Sequence, residues 1–413
     1  MTLFSATLPD LDGWESLSHE GAERVLALAN TATGAFRPNI VLTSTPSTAP
    51  IEAASSVAIA AILTDHPGSQ IIAVDLWAKQ AVDGRMITAS YPQGDQQIVI
   101  QRWIWATGLR HVSLTASAAT HQFLACAPTL SYVATVLVLS GEISATQVDV
   151  DAAPKLDRAA TLAAGEPLEL LRRVPSFQPY TPPILEISEA AQGALLAART
   201  TGALPWRSPA QAELRANRLL EGNSRRLSPF ALQVVTHWDA GAIQLEASTT
   251  LGGVTRSLRS WTRGESTLFA FSATSQNAPD PGNFAIEMRP VGQTVDVILR
   301  FLGVGPTWTR ATEPGHLSVR ALDERLAADA SAVLAPPTDA NDAFERFWNQ
   351  EWTELRVRSV HASVRVIATP SAGLLSVGSA EAVPGEAVIP IAALPSYALY
   401  THLLELFETA LRG

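Results

Sequence analysis

The stretch FRPNIVLTS, residues 36–44, places a proline directly before a run of strand-forming residues. Pro38 has no backbone N–H to give to a neighbouring strand, so it belongs at the start or the edge of a sheet strand. It also favours an extended conformation of Arg37 before it, and the side chain of Asn39 can bond to nearby backbone. We therefore predict that this stretch is the entry to an early strand and not a ligand site.

The residues that follow carry alternating helix and strand signals. Residues 50–63 predict a helix, because Pro50 is tolerated in a first turn and no glycine interrupts the segment. Three segments of strand length, with glycine-bearing connections typical of hairpins, come next: GRMITASY (84–91), QIVIQRWIW (97–105) and RHVSLTAS (110–117). A second helix around residues 121–136 completes a predicted α+β layer sandwich over residues 1–141.

Residues 142–183 differ in composition, being rich in small, acidic and proline residues. We interpret them as a linker or a strapping segment, with a short helix at 166–173. Asp149, Asp151 and Asp157 have the spacing of a partial calcium loop. The glycine and the closing glutamate of such a loop are missing, which favours a solvated linker.

Residues 184–413 predict a second α+β domain. Its two first helices are expected at 187–199 and 208–223, the latter with Ser208 and Gln211 in a capping box. Strands are predicted at 231–238, 242–249, 254–261 and 266–274. A helix at about 316–334 precedes a further α/β stretch.

A weak internal repeat divides this domain into two related halves, about 184–305 and 306–413. The first copy reads LFAFSAT, PDPGN, FAIEMRPV and TVDVILRFLG, and the second reads LLSVGSA, AVPGE, AVIPIAAL and SYALYTHLLELF. Pro281-Gly282 and Pro384-Gly385 occupy equivalent turns between strands. The two copies predict a pseudo-twofold arrangement with antiparallel sheets.

Composition argues against several classes of function. The chain has 29 Lys and Arg against 39 Asp and Glu, a net charge of -10, which disfavours a nucleic-acid partner. Charged residues make up only 16% and hydrophobic residues 47%. This low charge fits either apolar surface that another protein covers or an alanine-rich interior. Cys126 is the only cysteine, which excludes an intrachain disulfide.

No targeting or membrane segment is expected in the sequence. The first residues lack a basic segment followed by an apolar one, as a secretory signal requires, and the apolar runs are much shorter than the roughly 20 residues that span a bilayer. We expect a cytoplasmic protein without stable membrane insertion.

No known catalytic motif is present, so we expect a non-enzymatic protein with no catalytic, cofactor-binding or metal-binding residue. The tryptophans are more informative. Trp103 and Trp105 lie two apart in one predicted strand and share a face, which favours core filling. Arg256 and Arg259 frame a basic patch near Trp261, and Trp238 ends another predicted strand. Arginine with tryptophan is typical of protein-binding hot spots, so these four residues form the candidate protein-binding patch. A solvated strand face and core filling are its alternatives.

The first part of the chain resembles LpqN-type proteins of the PsbP-like fold. The resemblance covers about residues 10–140 and rests on the early Trp14 and on four further pieces: Phe36-Arg37-Pro38-Asn39, Gly84-Arg85 with Tyr91, Gln101-Arg102-Trp103 and Leu114-Thr115-Ala116. It implies a PsbP-like α/β/α sandwich.

The last part resembles the EspG family, the cytosolic chaperones of actinobacterial type VII (ESX) secretion. The resemblance rests on the order of elements around LRSWTRGESTLFAF, FAIEMRPVGQTVDVILRFLG and GHLSVRALDERL. EspG proteins have two quasi-equivalent halves, as the internal repeat predicts here. The resemblance implies a chaperone or adaptor that binds secreted helical proteins. A small-ligand-binding or enzymatic protein with a pocket in the PsbP-like part, or an immunity-type partner of a toxin, are the alternatives.

Overall fold

The computed structural model describes a defined part of the chain: residues 5–79, 82–140, 169–178, 180–181, 183, 185–239, 243–275, 278–308, 315–328, 335–337, 342–370, 372–383 and 386–412. Asp149, Asp151 and Asp157, with most of the predicted linker, lie outside the described residues.

The first sheet is built from antiparallel strands. The strands described up to residue 140 are β1 (Ser5–Thr7), β2 (Trp14–Leu17), β3 (Arg24–Leu28), β4 (Asn39–Pro46), β5 (Gln70–Leu76), β6 (Gly84–Gln93), β7 (Gln96–Ala106), β8 (Arg110–Ala119) and β9 (Val138–Ser140). Among these residues, seven strands form one sheet in the order β2-β3-β4-β8-β7-β6-β5, and β1 pairs with β9 separately. Sequence patterns predicted β4 and the β6–β8 meander correctly but missed β5 and the short strands before β4.

One helix covers each face of this sheet: α1 (Ile51–Asp65) on one side and α2 (Thr120–Val136) on the other. In β7, Ile98, Ile100 and Ile104 pack with α1, whereas Val99, Trp103 and Trp105 face the core beside α2. Burial on both faces explains why apolar residues occupy both alternating sets of positions in this strand, with Gln101 and Arg102 as polar exceptions in its middle. Trp103 and Trp105 share a fully buried face, so the core-filling interpretation is confirmed.

The FRPN segment closes one end of the sheet. Pro38 lies just before β4, and the Asn39 side chain donates to the Arg37 carbonyl at 3.1 Å. Arg37 donates to the Leu28 carbonyl at 2.8 Å and to Glu15 at 2.6 Å. All these contacts are internal to the protein, as expected for a strand entry.

A strap, formed by the described residues 169–178, 180–181 and 183, binds to the first sheet at two points. It contains the 3-10 turn Leu171–Arg173 and helix α3 (Val174–Phe177). Glu169 is fully buried and accepts a hydrogen bond from Arg85 Nε at 2.8 Å. Further along, Gln178 bonds to both backbone groups of Ile71 on the edge strand β5, at 2.7 and 2.9 Å. The strap is therefore packed into the structure and does not run free.

The second sheet contains the remaining strands, all antiparallel. They are β10 (Glu186–Ser188), β11 (Ile243–Leu251), β12 (Val254–Arg263), β13 (Ser266–Ser275), β14 (Ala278–Pro290), β15 (Gly315–Ser318), β16 (Thr353–Arg358), β17 (Ser363–Thr369), β18 (Gly373–Val377), β19 (Glu381–Val383) and β20 (Glu386–Ala393). In the described part of the chain these form an eleven-stranded sheet, ordered β10-β14-β13-β12-β11-β16-β17-β18-β20-β15 with β19 on β20.

The helices of this region are α4 (Glu189–Ala197), α5 (Gln211–Ala216), α6 (Pro229–Trp238), α7 (Thr294–Leu302), α8 (Val319–Ala327), α9 (Asp342–Trp348) and α10 (Ser396–Arg412). Outward from the central β11–β16 pair, the strands of the two halves follow the same order. Three of the repeated pieces occupy equivalent places, because β13 matches β18, β14 matches β20 and α7 matches α10. The predicted turn at Pro281-Gly282 was wrong, because these residues lie within β14. The α+β class with a pseudo-twofold sheet is confirmed, whereas the domain boundaries stay predictions.

Several predicted elements differ from the structure. Residues 231–238 were predicted as a strand and instead belong to α6. Its N-cap residue Ser228 accepts from the Ala231 amide, and Pro229 occupies the first turn. The β-branched run in this segment favours a strand, but its buried valines pack as one helix face against the sheet. The predicted capping box at Ser208 was also wrong, because α5 begins only at Gln211 with Ala210 before it.

Two predicted helices begin later in the structure than the sequence indicated, because a short strand precedes each of them. The predicted helix at 187–199 begins as strand β10, and the helix at about 316–334 begins as β15. In both, a serine ends the strand and caps the next helix: Ser188 before α4 and Ser318 before α8. The equivalent positions in the two halves thus use the same strand-to-helix turn.

Helices α7 and α10 join the two sheets. They pack on the inner face of the second sheet, the face that carries Phe269 and Leu355, and reach the core of the first sheet. Tyr400 of α10 lies with its ring 6.1 Å from Phe123 of α2. The described residues from both sheets therefore share one hydrophobic core at this junction.

Gly84 provides a direct test of packing in the first sheet. A Cβ atom at Gly84 would lie 2.2 Å from the Trp77 carbonyl oxygen and 2.7 Å from the Trp105 ring. We expect Gly84→Ala to lower the free energy of unfolding by roughly 1–3 kcal/mol or more, as overpacking does. Gly193 in α4 has open space around its Cβ position, so Gly193→Ala should instead raise it by roughly 0.5–1 kcal/mol. Denaturant unfolding measures both, and equal effects of the two substitutions would contradict this packing.

Three buried carboxyl groups predict that the free energy of unfolding depends on pH. Burial raises the pKa of Asp75 to about 6, of Asp296 to about 6 and of Glu169 to about 7. Because the folded state then keeps protons that the unfolded state has lost, the free energy of unfolding should fall as pH rises from about 4 to about 7.

For Asp296, the raised pKa corresponds to about 3 kcal/mol over that window. Asp296→Asn should make the pH profile of stability less steep, whereas Asp323→Asn, on the exposed side of α8, should leave it as it is. A wild-type profile that is flat between pH 4.5 and 7.5 in urea unfolding would refute the expectation.

Candidate functional site

The outward face of the second sheet is open at its centre. This is the face opposite α7 and α10. Helices α4 and α6 cover it over β12–β14, with Leu268 and Ile286 beneath them. Helices α8 and α9 cover the other end, over Ile367 and Leu375. Between the two groups of helices, the outward side chains of the central strands are mostly exposed or half-buried, with Glu354 as a buried exception.

Arginines dominate this open centre. Strand register places Glu246 of β11 opposite both Arg259 of β12 and Arg358 of β16, and places Arg356 opposite Arg365 of β17. Alternation fixes their direction, since Leu355 and Val357 on β16 face the inner core. We call this set the arginine face: Arg259, Arg356, Arg358 and Arg365, with Glu246 and Glu354.

Two glutamates balance part of this positive charge. Glu246 accepts from Arg358 at 2.5 Å, and Glu354 accepts from Arg365 at 2.6 Å and from Arg356 at 2.8 Å. Four arginines against two glutamates leave a positive surplus on a chain whose net charge is -10. Arg259 makes no hydrogen bond or ion pair with another described residue.

A cavity of about 270 Å³ lies beside Arg259, between α4 and strands β12–β14. Its lining includes Glu189, Arg259, Trp261 and Phe284. Trp261 packs edge-on against Trp238 of α6, with ring centroids 6.3 Å apart. The cavity therefore has apolar and charged walls side by side, and it opens next to the arginine face.

The structure brings together three of the four candidate residues from the sequence. Arg259, Trp261 and Trp238 lie on the outward face, although Trp238 ends a helix and not a strand. Arg256 lies on the inner face of β12, over the Phe301 ring at 5.7 Å. Residues three apart in a strand point to opposite sides, so Arg256 and Arg259 cannot form one patch.

Sequence reasoning missed the arginines of β16 and β17. Their signal is the alternation in TELRVR, residues 353–358, where the arginines occupy every second position. Such a pattern indicates a strand with one polar face. The pairing of β16 with β11, which aligns these arginines with Glu246, depends on contacts between the two halves that no local pattern contains.

The site offers recognition chemistry. Guanidinium groups bind carboxylates through paired hydrogen bonds, and the adjacent cavity can take an apolar side chain. In the part of the chain that the structure describes, no group of three or more His, Cys, Asp or Glu side chains could hold a metal ion. Within the same residues, no helix combines the length and the apolar character needed to cross a membrane.

Comparisons with known proteins concern the first third of the chain. No protein family and no curated protein matches the sequence. Among solved structures, LpqN of Mycobacterium tuberculosis, described as involved in cell envelope biogenesis, is 16% identical with a TM-score of 0.30. The match covers 34% of this chain and 86% of that one.

Two other solved structures match a similar share of this chain with similar TM-scores. Cyanobacterial PsbP of Synechocystis sp. PCC 6803 is 8% identical with a TM-score of 0.26, covering 34% of this chain and 94% of that one. A Pseudomonas aeruginosa protein of unknown function, PA94, is 12% identical with a TM-score of 0.27, covering 33% and 98%. The N-terminal third is thus similar to LpqN and PsbP-like structures.

The arginine face should tolerate substitution without loss of the fold. Arg358 is 65% exposed, so Arg358→Ala should lower the free energy of unfolding by less than about 1 kcal/mol, as exposed ion pairs contribute. Glu354 is only 7% exposed and accepts from two arginines. Glu354→Ala should cost more, roughly 1–3 kcal/mol. Urea unfolding measures both values, and an Arg358→Ala cost as large as that of Glu354→Ala would show that Arg358 is structural.

Proposed function

We propose that this protein is a non-enzymatic chaperone or adaptor that binds helical substrate proteins of an actinobacterial type VII (ESX) secretion system in the cytoplasm. The observation that carries the proposal is the arginine face together with the cavity beside Arg259. It offers a partner both charge complementarity and a place for an apolar anchor.

The pseudo-twofold sheet supports the same proposal. EspG chaperones, which the last part of the sequence resembles, have two quasi-equivalent halves. A sheet whose strand order repeats outward from β11 and β16 agrees with that arrangement. The EspG-like assignment is part of the proposal, and so is the role in secretion that it implies.

The chemistry of the face narrows the partner. Exposed guanidinium groups on a sheet prefer carboxylates, and Trp261 beside the cavity prefers an apolar or aromatic side chain. We propose a helical partner that presents acidic side chains next to one apolar residue. Its acidic groups would bind Arg259, Arg356 and Arg358, and the apolar residue would enter the cavity.

A binding experiment tests the proposal. The full chain is co-expressed with any pair of helical secreted proteins that its neighbouring genes encode, and the purified proteins are compared by size exclusion and calorimetry. The wild type should form a stable complex that weakens with added salt. The double variant Arg356→Glu with Arg358→Glu should bind about tenfold more weakly or worse, because like charges then face the partner.

The control is Arg320→Glu, whose side chain is 83% exposed and which belongs to α8 and not to the strands of the arginine face. It changes the net charge in the same direction and should leave the affinity unchanged. Failure of the wild type to bind any such pair would remove the proposed function. If the double variant bound as tightly as the wild type, the partner would have to bind to a surface other than the arginine face.

A further inference from the structure

Two adjoining cavities lie at the junction of the strap, α7 and the first sheet. The larger, about 300 Å³, is lined by residues that include Asp296, Glu287 and Arg289. The smaller, about 150 Å³, is lined by residues that include Gln70 and Arg256. Tyr180 and Arg300 line both cavities, so the two are chambers of one site. Each exceeds the roughly 30 Å³ that one water molecule occupies in the liquid.

Three hydrogen-bond donors around the smaller chamber have no acceptor among the described residues. They are the Tyr180 hydroxyl, the Arg256 Nε–H and the Gln70 Nε2 group, each buried at that atom. Arg256 contacts the Phe301 ring, 5.7 Å from its centroid, but forms no ion pair with a described carboxylate. A buried donor without an acceptor is destabilising, so this chamber favours an occupant rich in acceptor oxygens.

The larger chamber has the opposite character at its inner end. Asp296 is buried in the first turn of α7, where its Oδ1 accepts from Ser90. Its Oδ2 has no donor among the described residues. Arg289 pairs with Glu287 at 2.8 Å, so these two charges already satisfy each other. The Gln97 amide also lines this chamber near Asp296, and an occupant that donates to Oδ2 would complete the hydrogen bonding of this carboxylate.

We propose that the two chambers bind one small hydroxylated organic anion. Its phosphate or carboxylate group lies in the smaller chamber and accepts from Arg256, Tyr180 and Gln70. A hydroxyl group at its other end reaches the larger chamber and donates to Asp296. Arg300, which is held by the Gly68 carbonyl and by Gln70 at 3.3 Å, adds positive charge where the chambers meet.

This site is separate from the arginine face. Arg256 and Arg259 leave β12 on opposite sides, so a ligand in the chambers and a protein on the outward face contact different surfaces of one sheet. The inference therefore does not depend on the proposed adaptor function.

Calorimetric titration of the full chain tests the site. The probes are glycerol 3-phosphate and glycerate, which pair hydroxyl groups with a phosphate and with a carboxylate, and glycerol as the neutral analogue. Ionic strength is matched with sodium chloride, since phosphate also stabilises proteins without binding a site. At least one anion should bind saturably, and glycerol at least about tenfold more weakly.

Two variants and one control separate binding from folding. Arg256→Leu should weaken the bound anion about tenfold or more, whereas Arg259→Leu, the same change on the other side of β12, should not. Tyr180→Phe removes a hydroxyl that has no partner in the free protein. It should leave the melting temperature of the free protein equal or higher, while weakening the anion several-fold.

The outcome that overturns the inference is equally specific. Absence of saturable binding of both anions at about 10 mM, a concentration far above typical metabolite-site affinities, would assign the chambers to water. Equal affinities in the wild type, Arg256→Leu and Tyr180→Phe would do the same.

Discussion

The burial of α7 and α10 on both of their sides is the constraint on which the rest of the structure depends. Each helix covers the inner face of the second sheet and also meets the core of the first sheet beside α2. A helix in this position must be apolar around most of its circumference. Removing either sheet would expose that surface to water. The two sheets are therefore held together by a shared core, with the strap fastened across it through Glu169 and Gln178.

Local sequence signals predicted the elements that depend on local chemistry. The β6–β8 meander and the hairpin at Gly252-Gly253 were found, and both glycines have positive φ as that turn requires. The wrong predictions concern segments whose secondary structure depends on which residues become buried. Residues 231–238 have strand-forming side chains, yet Ser228 and Pro229 start a helix whose valines fill the space over β12 and β13. Short edge strands such as β10 and β15 carry too few residues for a pattern to appear.

The candidate site shows the same limit. The sequence identified Arg259, Trp261 and Trp238. The structure places Arg259 and Trp261 at one cavity, with Trp238 packed against Trp261. The sequence analysis also grouped Arg256 with them. That grouping overlooked that residues three apart in a strand point to opposite faces of the sheet. The arginines of β16 were missed, since their approach to Glu246 comes from pairing between residues more than a hundred positions apart. A site formed across a pseudo-twofold axis takes residues from both halves. Local sequence patterns can indicate the residues of one half but not which residues of the other half lie beside them.

The central β11–β16 pair has a consequence for how such a molecule arises. Two copies of one half, joined edge to edge through antiparallel strands, would form this sheet as a symmetric homodimer, with a self-complementary contact at its centre. In a single chain the two copies can diverge. Helix α10 has 17 residues where its counterpart α7 has 9. Arg356 stands on β16 opposite Ser248 on β11. Joining the halves covalently thus allows an asymmetric surface at the centre of a symmetric frame, which a homodimer of identical halves cannot have.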